Sequence, residues 1–101
     1  MISMVKYRCV KADRLGGADW EGRQYVEEGI QDARKRAMKM LHGDKTDSVL
    51  IWLESDFKNY PWIGFHEKVV VDKEDRNTYL AFNNKGTFIL SSNGSAKEKV
   101  W

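Results

Sequence analysis

The chain has 101 residues, of which 42% are hydrophobic, 12% aromatic and 32% charged. That balance fits one folded domain and lies far from the low-hydrophobicity, high-charge regime of disorder. Against 17 Lys and Arg stand 15 Asp and Glu, a net charge of +2, which argues against both a histone-like nucleic-acid binder and an acidic nucleic-acid mimic. The one cysteine, Cys9, excludes an intrachain disulfide framework and a thiolate metal cluster, so a reducing, cytoplasmic setting is expected. The longest apolar run, Val49 to Leu53, is far below the ~20 residues that span a bilayer, and Met1 to Lys6 lacks the pattern of a secretory signal; no membrane role is expected.

Val5, Tyr7 and Cys9 alternate with Lys6 and Arg8, which predicts a first strand from Ser3 to Lys11 with Cys9 on its buried face. Asp13 to Gly22 carries Gly16, Gly17 and Gly22 among charges and reads as a mobile loop. Gln24-Tyr25-Val26 follows as a short second strand. From Ile30 the period changes: Ile30, Ala33, Ala37 and Leu41, with Met38 and Met40 beside them, predict an amphipathic helix from Gly29 to His42. Asp32 near its start and Arg34, Lys35, Arg36, Lys39 and His42 towards its end suit the macrodipole, and Gly43 is expected to form a left-handed cap.

Val49 to Leu53 is a continuous β-prone run, as expected of a strand covered on both faces at the centre of a sheet. Asp56 to Phe65 reads as a loop. Phe65 to Val71, Thr78 to Phe82 and Thr87 to Leu90 read as three more strands of an antiparallel meander, with Leu80 and Phe82 sharing a face with Phe88 and Leu90. Residues 92–101, rich in Ser, Gly and Lys, are expected to fray, although Trp101 could dock. The fold class is α+β: a single helix on an antiparallel sheet of four to six strands, in the order β-(β)-α-β-β-β-β. One domain fills residues 1–101.

Catalytic signals are weak. Nucleophilic catalysis needs a thiolate or hydroxyl beside a base and an orienting group, but Cys9 lies in a buried register, remote in sequence from His42 and His66. The carboxylates Glu27-Glu28, Asp44 with Asp47, and Asp72 with Glu74-Asp75 fall at turns or helix starts, where acids cap and turn the chain. Gly16-Gly17 is followed by Ala18-Asp19 and lacks the Lys-Ser/Thr ending of a phosphate cradle. Neither a metal site nor a cofactor is implied, and an enzyme is not expected.

Binding signals are stronger. Asp56 to Phe65 holds Phe57, Tyr60, Trp62 and Phe65 in a segment that also carries Asn, Pro and Gly. Aromatics in loops are of the type that form interface hot spots, so Phe57, Tyr60 and Trp62 are partner-binding candidates; alternatively the segment folds back to close a small core. Trp20, between Asp19 and Glu21 in the glycine loop, is a further candidate. Lys6 and Arg8 on the first strand could join Arg34, Lys35 and Lys39 on the helix as a nucleic-acid-facing patch if strand and helix are neighbours; otherwise these are solvated charges on unrelated faces.

The order of strand, glycine-containing loop, short strand, alanine-spaced helix, apolar strand and hairpins resembles that of small phage-encoded accessory proteins, including some anti-CRISPR inhibitors. The resemblance rests on Val5 to Val10, Tyr25-Val26, Ala33 to Leu41 and Val49 to Leu53, about half of the chain, and is one of topology with no diagnostic motif. It implies a stoichiometric inhibitor that binds a host protein surface or its nucleic-acid site, and it carries over no functional residue.

The sequence is therefore read as a non-enzymatic macromolecule-binding module whose partner is a host protein or nucleoprotein complex. The alternative is a small nucleic-acid binder using the basic strand and helix face. A monomer is expected, or a homodimer formed through an open edge at Thr87 to Leu90 or at the first strand.

Overall fold

The computed structural model describes residues 5–44, 46–59 and 64–99. Its elements are β1 (Lys6–Ala12), β2 (Tyr25–Glu28), α1 (Ile30–Gly43), β3 (Ser48–Leu53), α2 (Glu54–Asn59), β4 (Glu67–Val71), β5 (Tyr79–Asn83), β6 (Gly86–Leu90) and β7 (Ala96–Glu98). The strands form one sheet in the order β2-β1-β3-β4-β5-β6-β7, and every neighbouring pair is antiparallel. The α+β class and the β4-β5-β6 meander agree with the sequence reading, while the seven strands among the described residues exceed the four to six expected.

One helix face and one sheet face make the main core. Ala33, Ala37, Met38, Met40 and Leu41 of α1 are buried against Cys9, Val49, Ile51, Val69, Ala81 and Leu90. The helix crosses β1 to β4. Small Ala33 and Ala37 let its backbone approach the strands, and the larger Met and Leu side chains fill the margins. A second, smaller cluster lies on the opposite, outer face, where Val10, Ala12, Leu50 and Trp52 pack with Ala18 and Phe57. The apolar run of β3 is thus covered on both sides, as its continuity predicts.

Four local features depart from expectation. The segment read as a loop begins with α2, which has Glu54 and Asp56 in its first turn and Lys58 in its last. That charge order suits the helix ends, and α2 packs on β1 and β3. Tyr60 and Trp62 lie outside the described residues, as does Trp101. The tail contributes β7, paired with β6 through Phe88↔Glu98 and Leu90↔Ala96. Gly94, at φ 86, makes this reversal where an added Cβ would collide with the Gln31 carbonyl oxygen, so the Ser91 to Ser95 turn lies tightly against α1.

Gly43 ends α1 without a left-handed turn; Asp44 is the C-cap and donates its N–H to the Met40 carbonyl. The positive φ stands at the other end, where Gly29 (φ 86) joins β2 directly to α1 and its N–H donates to the Val5 carbonyl at 2.7 Å. Finally, Leu80 and Phe82 do not share a face with Phe88 and Leu90. The register Leu80↔Ile89, Phe82↔Thr87 and Asn83↔Gly86 pairs even with odd residues across the two-residue turn. Phe88 and Leu90 therefore join the α1 side, while Leu80, Phe82 and Ile89 face outward. Thr87 to Leu90 and the first strand are both interior, so neither is an open edge; β2 and β7 are the outermost strands.

A candidate aromatic interface on the outer face

The outer face over β1 and β3 carries a connected aromatic group. Trp52 on β3 is 2% exposed and stands with its ring 5.5 Å from Phe57 in an edge arrangement, 5.6 Å from Trp20 and 6.3 Å from Phe65. Trp20 and Phe57 are themselves 5.8 Å apart. These separations and tilts are those that aromatic quadrupoles favour. Above this buried base, Trp20 is 51% exposed and Phe65 42%, so two large rings, each packed on Trp52, face solvent. The Nε1–H of Trp52 is buried and has no hydrogen-bond partner among the described residues.

Each ring is held by its element. Asp13 accepts from the N–H groups of Leu15 and Gly17 at 2.9 and 2.8 Å. Asp19 accepts from Glu21 and Gly22 at 3.2 and 2.9 Å, and its own N–H donates to the Lys11 carbonyl at 2.8 Å. These Asx turns order the segment that composition marked as mobile. Gln24 ties Trp20 down further, its Nε2 donating to the Trp20 carbonyl at 3.2 Å. On the other side, Arg8 of β1 makes a two-pronged contact with Glu54 of α2, Nε to Oε1 at 2.8 Å and Nη2 to Oε2 at 3.0 Å. Its Nη1 donates to Gln24 Oε1 at 2.9 Å, and its guanidinium lies 4.6 Å from the Phe57 ring centre. One arginine so fixes strand, helix and loop relative to one another.

Of the sequence candidates for partner binding, Phe57 and Trp20 are brought together in this group. Trp52 and Phe65 complete it. Trp52 was hidden in a run that reads as core, and Phe65 at the start of one that reads as strand.

The basic candidates are not brought together. Although α1 packs over β1, Arg8 projects from the outer face and Arg34 lies on the α1 side. There Arg34 donates Nε and Nη2 to the two carboxylate oxygens of Glu67 at 2.6 and 2.9 Å. Lys35 pairs with Asp32 at 3.8 Å, and Lys6 and Lys39 are exposed. Both arginines are engaged by carboxylates that the sequence reading did not single out. Glu67 is fully buried and also accepts from Asn83 Nδ2 at 3.2 Å. The signal existed, because Glu67 alternates in register with Val69 and Val71 on the face that buries them.

The catalytic possibilities have ordinary surroundings. Cys9 donates its thiol to the Ala33 carbonyl at 3.4 Å, and neither His42 nor His66 is its partner. Burial pushes the thiol up to about 12, with Glu27 adding to the shift and Arg36 opposing it. His66 instead lies 5.5 Å from the Tyr7 ring. In the Asp72 to Asn77 turn, Asp72 accepts from Glu74 N–H at 3.0 Å. Asp75 accepts from the Thr78 hydroxyl and the Asn77 N–H at 2.8 and 3.0 Å, and those bonds hold its carboxyl below the usual carboxylate value. Among the described residues no group of three or more His, Cys, Asp or Glu could hold a metal ion, and no helix is long and apolar enough to cross a membrane. Comparison with protein-family models, curated proteins and solved structures finds no match to the chain.

Proposed function

We propose that this protein is a non-enzymatic binding module that docks a partner protein through Trp20, Phe57 and Phe65 above the Trp52 base. The observation that carries the reading is that two exposed rings, Trp20 at 51% and Phe65 at 42%, each pack on the buried Trp52, beside contacts fixed by the Arg8, Glu54 and Gln24 bonds. Large aromatics add contact area with few rotatable bonds, and ones held before binding lose little entropy on association. The order of elements in the chain, with its resemblance to small phage accessory proteins, extends the reading to a phage or mobile-element protein that inhibits or modulates a host protein by occupying its surface.

The test is capture from a host lysate by wild-type protein and by the Trp20→Ala and Phe65→Ala variants, each with and without nuclease. The expected result is a partner that survives nuclease and is lost with either variant while far-UV dichroism and melting temperature stay close to wild type. Retention of that partner by both variants would overturn the assignment of the face.

A further inference from the structure

The outer face has a second half that neither helix of the described residues covers, since α1 crosses β1 to β4 on the other side and α2 packs on β1 and β3; Leu80 is buried within it, with Phe82 and Ile89 exposed on either side. From β4 to β7 the register places two lines of residues there. One runs Lys68, Phe82, Thr87, and the next runs Val70, Leu80, Ile89, Lys97. Phe82 and Ile89 are each 37% exposed in the middle of a sheet, where a side chain stands upright beside neighbours ~5 Å away on the adjoining strands. Phe82 is thus flanked across strands by Lys68, and Ile89 by Lys97. At the end nearest the aromatic group, Phe65, Phe82, Asn84 and Lys85 line a groove of about 590 Å³, together with Gly64 and His66.

The outward strand charges on this half have one sign. The strand residues facing outward from β4 to β7 include Lys68 and Lys97 and no acid, and the β5–β6 turn adds Lys85. Two carboxylates border it: Asp56 lines the groove, and Asp72 is paired with Lys99 at 3.8 Å. A sheet face on which the exposed Phe82 ring stands beside Lys68, with the Phe65 ring at its margin and Lys85 and Lys97 nearby, matches a chain that presents flat bases and phosphates at close intervals. An acidic polypeptide would satisfy the lysines but offers no flat face to Phe65 and Phe82. We infer that the open half of the sheet binds single-stranded nucleic acid, with bases stacked on Phe65 and Phe82 and phosphates met by Lys68, Lys85 and Lys97. This surface is distinct from the Lys6, Arg8, Arg34, Lys35 and Lys39 set, whose two arginines point to opposite sides of the sheet; it shares Phe65 with the protein-docking face, and its tests therefore rest on Phe82 and the lysines, which that face does not use.

The experiment is a fluorescence anisotropy titration of the full chain with labelled oligothymidylate and oligouridylate, across a range of salt. Binding is expected to weaken steeply with salt, with a log–log slope of about −2 for three phosphate contacts. Phe82→Ala should weaken it about tenfold or more, and Lys68→Glu with Lys97→Glu should abolish it. Lys35→Glu with Lys39→Glu, on exposed positions of α1, should leave it unchanged. Phe82→Leu keeps an apolar group on the sheet but removes the flat ring, so its weakened binding in a folded protein separates stacking from stability. Absence of binding at low salt would overturn the inference, as would equal binding of duplex DNA or polyglutamate, or an affinity indifferent to Phe82→Leu and to the lysine reversals.

Discussion

The two faces of the sheet each carry one arginine clamped by one glutamate, and the two clamps have different surroundings. On the α1 side, Arg34 and Glu67 have side-chain exposures of 13% and 0%, and Arg34 Nη1 reaches the Gly94 carbonyl at 3.4 Å. That clamp ties α1, β4, β5 and the tail turn into one body. On the outer side, Arg8 and Glu54 have exposures of 23% and 11%, and the groups around them are Gln24 and the half-buried Phe57 ring, which packs on the exposed Trp20. The same chemistry locks a core in one place and presents a surface in the other. Sealing therefore separates the two roles: where apolar groups close over the pair it serves stability, and where aromatic rings stay open beside it the pair holds them in position.

The sharpest way to break this comparison is to remove one partner from each clamp. Arg34→Met leaves the fully buried Glu67 carboxylate without its counter-charge and is expected to destabilise the fold by about 3–5 kcal/mol. Urea unfolding measures it directly. The double variant Arg34→Met with Glu67→Leu should recover most of that loss, because a well-packed apolar pair avoids the desolvation of both charges. A loss below about 1 kcal/mol for the single variant would show that water reaches Glu67 and that the two clamps are alike.

Arg8→Met comes next in size. Glu54 is buried but less completely than Glu67, with 11% of its side chain exposed, so the expected loss is about 2 kcal/mol, in the range of a hydrogen bond to a charged group. Its larger consequence should be optical. With Phe57 freed from the guanidinium and Gln24 from its bond to Arg8, Trp20 should gain mobility and show a lower fluorescence anisotropy. Arg34→Met should leave that signal unchanged under folding conditions. An equal response of Trp20 to both variants would mean that the faces are coupled through the sheet.

Much of the inner face was legible in the sequence, because it is built on periodicity. The Ala33, Ala37, Leu41 spacing and the unbroken Val49 to Leu53 run each place their residues without knowledge of the partner strand. The outer face depends on strand order and register, which are not local. Trp20 and Phe57 stood out as aromatics in polar segments, yet their meeting requires β1 beside β3 and α2 directly after it. The six residues of α2 are too few for a period to show, and Asn59, Pro61 and Gly64 gave the whole segment the composition of a loop. The Ile89–Lys97 line was hidden by a one-residue matter of parity: a two-residue hairpin turn at Asn84-Lys85 decides which of β6's residues face outward.

The effect that vanishes at neutral pH concerns Cys9, which lies on the sealed face. At neutral pH its thiol is protonated whether the chain is folded or not, so it contributes nothing to the pH dependence there. The ordinary value is 9.0 and the folded value about 12, so between these limits the unfolded chain releases a proton that the folded chain keeps. Unfolding is then favoured as pH rises, and stability should fall progressively from pH 9 towards 12. Lysines and tyrosines titrate in the same range, so the measure is the difference between wild type and Cys9→Ala. The melting temperature of the variant should decline less over pH 9 to 11 than that of wild type, with parallel curves below pH 9. In the same protein at pH 8, a thiol reagent should modify Cys9 only at the rate at which the chain opens, and fully in denaturant. Rapid modification without denaturant would mean that the α1 side opens locally, and the contrast between a sealed face and a presenting face would then be one of degree.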